Sequence, residues 1–121
     1  MLILLGADGN NLESPISKRF GHAKYYILIN TETETFEAFE NVDEGHNHEK
    51  LLEFFDKGVE TFIVGNIGPY AFEVINNPNS KVYLAKKMSG KEAVEKFSNG
   101  ELNQLFEPTA KKSIGHGPIE L

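Results

Sequence analysis

The chain has no cysteine, so it can supply neither a disulfide nor a thiolate ligand. It also has no long apolar run. Met1 to Leu5 is the longest, and a bilayer span needs about 20 residues. No basic segment precedes that run and no small-residue cleavage site follows it, so no signal peptide is expected and the cytoplasm is the expected compartment. Positive charge is in short supply: 12 Lys and Arg stand against 18 Asp and Glu, a net charge of −6. That balance argues against nucleic acid as a partner, because phosphate binding depends on cations that neutralise the backbone. Nucleotide fingerprints are missing too. Gly65-Asn66-Ile67-Gly68 has the wrong glycine spacing for a dinucleotide fold, and no Lys-Ser/Thr follows it as in a P-loop. No Ser-His-Asp arrangement can be assembled, and Ser14 and Ser17 lack a nucleophile motif.

What remains is an ordinary globular composition, with 40% hydrophobic and 25% charged residues in 121, enough for one domain with a buried core. Two runs without polar alternation, Leu2 to Ala7 and Thr61 to Val64, read as strands covered on both faces. Tyr25 to Asn30 is a further strand, joined through Thr31-Glu32-Thr33-Glu34 to a weaker one at Thr35 to Glu40 that suits an edge. Between the first two strands, Leu12 to Lys24 reads as an irregular loop with one helical turn.

Leu51, Leu52, Phe54 and Phe55 mark a helix that ends at Gly58. After Thr61 to Val64, Gly68-Pro69 opens a second helix, which stops before Asn77-Pro78. Lys81 to Ala85 is a short strand, and Ser89-Gly90-Lys91-Glu92 is a capping box for a third helix. Glu101 to Phe106 reads as a turn or two, and residues 107–121 as a loose tail after a domain of residues 1–106. The order β-β-β-α-β-α-β-α gives a single-domain α/β fold, a mixed five-stranded sheet with flanking helices. Leu2–Ala7 and Thr61–Val64 are expected as parallel neighbours, with Tyr25–Asn30 antiparallel to the first.

The histidines are the most informative polar residues. His46 and His48 lie in Asp43-Glu44-Gly45-His46-Asn47-His48-Glu49 at a helix start, where the dipole favours neutral imidazole, the form that binds metals. A solvated loop has the same composition, since His-x-His alone is a weak metal signal. His22 precedes the second strand, whose start lies beside the end of the third in an antiparallel pair, so His22, His46 and His48 can approach one another as metal ligands. His116 has a weaker individual case. The turn at Asn66, Ile67 and Gly68 reads either as an anion-binding nest of backbone amides or as tight strand-to-helix geometry. Asp8 reads as a turn former or a metal-binding carboxylate.

Three stretches taken together resemble one known family. Pro15-Ile16-Ser17-Lys18-Arg19-Phe20-Gly21-His22-Ala23 resembles its P-[VI]-S-x-H-F-G-x-A segment, Val64-Gly65-Asn66-Ile67-Gly68-Pro69-Tyr70-Ala71-Phe72 its C-G-G-I-G-P-N-A-F motif, and Asn41 to His48 its histidine loop. The family is the dinitrogenase iron–molybdenum cofactor-binding family. Arg19 stands where the family has histidine and Val64 where it has cysteine. The resemblance implies a ribonuclease H-like fold and a small protein without catalysis of its own. Such a protein binds, carries or helps assemble an iron–sulfur-type or iron–molybdenum-like cofactor, with a cofactor-assembly protein as partner. The cofactor would meet Arg19, which can pair with an anionic cluster, together with His22, Asn66, Ile67 and Gly68.

Two other functions are compatible with the pattern. A regulatory or adaptor domain could use the same turn for a small anion or a protein partner. A metal-dependent phosphoryl-transfer enzyme would need several converging carboxylates, and Asp8 is the one strand-end acid on view.

Overall fold

A computed structural model of the chain describes residues 1–41 and 48–109, and of residues 48 and 49 the backbone only. Asp43, Glu44, His46, the His48 side chain and His116 lie outside the described residues.

Among the described residues six strands form one sheet in the order β3-β2-β1-β4-β5-β6. They are β1 (Leu2–Ala7), β2 (Tyr25–Asn30), β3 (Thr35–Glu40), β4 (Thr61–Val64), β5 (Lys81–Leu84) and β6 (Asn103–Leu105). β1 pairs parallel with β4, Leu4 opposite Phe62, and β4 parallel with β5. β2 is antiparallel to β1 and β3 to β2, as the short connections require.

The five-strand expectation is corrected by β6, which runs antiparallel to β5 with Leu105 opposite Val82. Asn103-Gln104-Leu105 is too short and too polar to register as a strand. What makes it one is the edge of β5, whose backbone groups it pairs.

Among the described residues three helices flank the sheet: α1 (Leu52–Asp56), α2 (Pro69–Ile75) and α3 (Gly90–Ser98). Side chains alternate along each strand, so the sheet makes two cores. Leu4, Tyr26, Phe62, Val64 and Val82 pack with Phe54 of α1 and with Ala71, Phe72 and Ile75 of α2. Ile3, Leu5, Ala7, Ile27 and Ile63 pack with Ala93 of α3, against which Val94 and Phe97 are partly buried. Leu52, counted in the apolar stripe, is exposed. The segment enters α1 through a 3-10 turn, His48–Leu51, and Leu51, Phe54 and Phe55 then share one face at spacings of three and four while Leu52 turns away.

The parallel strands put one set of ends together. β1, β4 and β5 finish on the same rim, where β2 begins (Ala7 opposite Tyr25) and β3 ends (Tyr25 opposite Glu40). The segment that follows β1 and the turn that follows β4 both leave from this rim.

Candidate functional site

The segment after β1 doubles back over the rim as a strap. Asp8 N donates to Pro15 O, Ser17 N to Gly6 O, and Ile16 N to Met88 O at 3.0, 2.9 and 2.8 Å. Ile16 belongs to the core on the α3 side and Phe20 to the core on the α1–α2 side, so the strap crosses the sheet end between them. Ser17 is buried at the crossing, and its hydroxyl donates to Arg19 O at 3.0 Å. The strap then closes in a 3-10 turn, Phe20–His22, the single helical turn expected in the loop. Tyr26 Oη donates to Phe20 O at 2.8 Å from below, and burial pushes the Tyr26 phenol up from its ordinary value.

Two sequence segments about 45 residues apart thereby become one structure. Phe20 N donates to Asn66 O at 2.8 Å. A side chain at Gly65 would overlap the Ser17 carbonyl oxygen, so this glycine is demanded by a close backbone approach. A Cβ at Gly68 would come within 3.4 Å of the Arg19 guanidinium, an ordinary contact. Arg19 therefore lies against the turn, and it forms no ion pair among the described residues.

The amide of Ile67 has a partner that the sequence did not foreshadow. It donates to Thr109 Oγ1 at 2.9 Å, while Thr109 N donates to Ile67 O at 3.0 Å and Thr109 Oγ1 to Asn66 Oδ1 at 3.2 Å. Gly68 caps α2 without a side-chain bond, and α2 has only seven residues. Nothing in the local sequence of Thr109 signals this role, because the contact spans 42 residues.

His22 stands on the other flank of Arg19, its N–H bonded to Arg19 O at 3.0 Å. It lines a cavity of about 420 Å³ with Lys24, Tyr25, Glu40 and Asn41 at the meeting of β2 and β3. Asn41 is fixed beneath it, with Nδ2 donating to Ala23 O at 2.9 Å. Of the residues expected at a site, Arg19, Asn66, Ile67 and Gly68 thus come together. His22 joins them through the backbone of its turn but faces the neighbouring cavity.

Across the strap lies a second, smaller crevice of about 280 Å³ at the ends of β1, β4 and β5. Asp8, Ser17, Lys18, Asn66, Lys86 and Lys87 line it. Arg19 is extended, and neighbouring side chains of an extended segment leave on opposite sides. Lys18 accordingly enters this crevice while Arg19 lies by Gly68. Lys87 has φ of 60°, a left-handed conformation that costs a non-glycine residue roughly 1–2 kcal/mol. Sequence reading passed over Lys18, Lys86 and Lys87, since lysines in two distant loops look like solvated charge. Among the described residues Asp8 is the one acid lining this crevice, whereas two-metal phosphoryl transfer needs several converging carboxylates.

A sequence profile of the family described as dinitrogenase iron-molybdenum cofactor matches residues 1–100. Among solved structures, a candidate NifB protein from Thermotoga is 32% identical, with 90% of this chain and 97% of that one covered and a TM-score of 0.79. The apo form of the orange protein from Desulfovibrio gigas is 21% identical over 90% of this chain and 96% of that one, TM-score 0.80. A candidate dinitrogenase from Methanocaldococcus jannaschii is 19% identical over 89% and 97%, TM-score 0.69. The last two likenesses bear on the fold alone. No protein of curated function matches the chain.

Proposed function

Because this chain belongs to the dinitrogenase iron-molybdenum cofactor family, we propose that it is a noncatalytic binding protein on a ribonuclease H-like frame. It holds, carries or helps assemble an anionic iron–sulfur-type metallocofactor. The observation that carries this reading is the turn Arg19–His22, which presents a guanidinium and an imidazole from one rigid bend pinned to the Asn66 backbone.

The described donor set offers nitrogen and positive charge rather than sulfur. The chain has no thiolate, and among the described residues no three His, Asp or Glu side chains converge as a metal site. Arg19 instead supplies a planar, permanently charged donor for an anion. His22 supplies one nitrogen, and Lys24 in the same cavity adds positive charge. Asn66, Ile67 and Gly68 form the wall behind Arg19; direct use of the Ile67 amide by the cofactor requires Thr109 to leave it.

Anaerobic reconstitution with iron and sulfide, followed by visible absorption and metal analysis, tests the reading. Coloured, metal-loaded protein is expected, with lower metal content in Arg19→Gln and His22→Ala at unchanged stability, since both side chains are exposed. Wild-type protein that stays colourless and metal-free would overturn it.

A further inference from the structure

The chain continues past β6 to close over the turn that follows β4. β6 is antiparallel to β5 with Leu105 opposite Val82, so it runs away from the rim, and residues 106–109 carry the chain back. Phe106 is 80% exposed and gives this return no apolar anchor. Thr109 makes its attachment to the turn. The Ile67 amide donates to Thr109 Oγ1 at 2.9 Å, Thr109 N donates to Ile67 O at 3.0 Å, and the Thr109 hydroxyl donates to Asn66 Oδ1 at 3.2 Å. One exposed residue thus engages the amide, the carbonyl and a neighbouring side chain of the same turn.

Thr109 is not the turn's sole support. Asn66 O accepts from Phe20 N at 2.8 Å, the Ile67 side chain is fully buried in the core on the α1–α2 side, and Gly68 O accepts from Phe72 N at 3.0 Å as α2 begins. These supports lie in the strap, the core and the helix, and none of them passes through residues 106–109. Bonds made by an exposed residue compete with water, so this segment can open locally while the sheet and both cores stay folded. The family profile ends at residue 100, so β6 and Thr109 lie beyond the stretch shared with it. A contact of this kind covers the turn beside the Arg19 guanidinium more than it shapes it.

We propose that residues 106–109 form an autoinhibitory latch, in which Thr109 occupies the hydrogen-bonding groups of Asn66 and Ile67 and must leave before a cofactor can use them. The inference rests on the cofactor reading above and adds regulation to that same site. Thr109 offers a hydroxyl oxygen to the Ile67 amide, in the place that an acceptor atom of a bound anion would take. A single N–H serves one such acceptor well. The apparent affinity for a cofactor that uses this amide is therefore scaled down by the fraction of chains with the latch open. The linkage is reciprocal: a cofactor on the turn displaces Thr109, and a docked Thr109 lowers cofactor loading.

The test titrates full-length protein anaerobically with ferrous iron and sulfide. Thr109→Val keeps the outline of the side chain but removes the hydroxyl, and Thr109→Ser keeps the hydroxyl. Loss of one ordinary hydrogen bond from the closed state should lower the iron and sulfide concentration for half-loading of Thr109→Val by about two- to tenfold. Thr109→Ser should load as wild type does. Urea unfolding of the same samples separates the latch from a merely structural role, which would lower stability in the valine variant and leave loading equal or reduced. Amide exchange, read by mass spectrometry on the fragment carrying Thr109, gives a second readout: protection is expected in metal-free wild type and faster exchange after loading. Equal half-loading of wild type and Thr109→Val, or a Thr109 fragment equally protected with and without the cluster, would overturn the latch alone. Wild type and both variants that all stay colourless would overturn the cofactor reading and the latch with it.

Discussion

Glycine at two positions of the same turn answers to two different demands. At Gly65 the Ser17 carbonyl occupies the space of a side chain, whereas at Gly68 the nearest atom is the end of the flexible Arg19 side chain. Gly65→Ala should therefore destabilise the domain by about 1–3 kcal/mol, the usual cost of overpacking, while Gly68→Ala stays near neutral; urea unfolding of the two variants measures the difference. Tyr26 makes a second residue-level claim. Its phenol, buried and donating to Phe20 O, is pushed up from 10.0 by desolvation, so the folded chain keeps a proton that the unfolded chain releases. The stability tied to that proton is intact below pH 10 and is lost as the pH rises above it. Tyr26→Phe should cost about 1 kcal/mol at neutral pH, and the gap to wild type should narrow through about pH 11 in the same unfolding assay.

The elements differ in how they satisfy their ends. α3 carries its own start signal, with Ser89 Oγ accepting from Glu92 N at 3.1 Å. Removing it in Ser89→Ala should lower stability by about 1 kcal/mol, read as a lower thermal midpoint. α2 has no such device, and the turn before it is instead held by Thr109 from far along the chain. This contrast decides what could be seen in advance. A cap three residues from its partner is written in the sequence, whereas a hydroxyl that reaches back 42 residues is not. β6 belongs with the second case: three residues with little strand propensity form a strand because the open edge of β5 supplies the partners.

At the scale of the whole molecule, sequence alone determined the class and most of the frame. Continuous apolar runs at Leu2–Ala7 and Thr61–Val64 meant burial on both faces, and they are the central parallel pair. Short polar connections meant antiparallel neighbours, and an imperfectly alternating strand meant an edge, as β3 is. The motif around Arg19 and the turn at Gly65–Gly68 were also legible, because each is local and each serves a close approach. What only the tertiary structure decided is how these pieces face one another. It set Arg19 against Gly68 and Thr109 on the Ile67 amide, and it turned His22 toward a neighbouring cavity. It also drew Lys18, Lys86 and Lys87 from two loops into one crevice. Periodicity and capping act over a few residues and leave a pattern in the chain, but the meeting of distant loops depends on strand order and on where the strap crosses the rim, and these are settled only when the two cores pack.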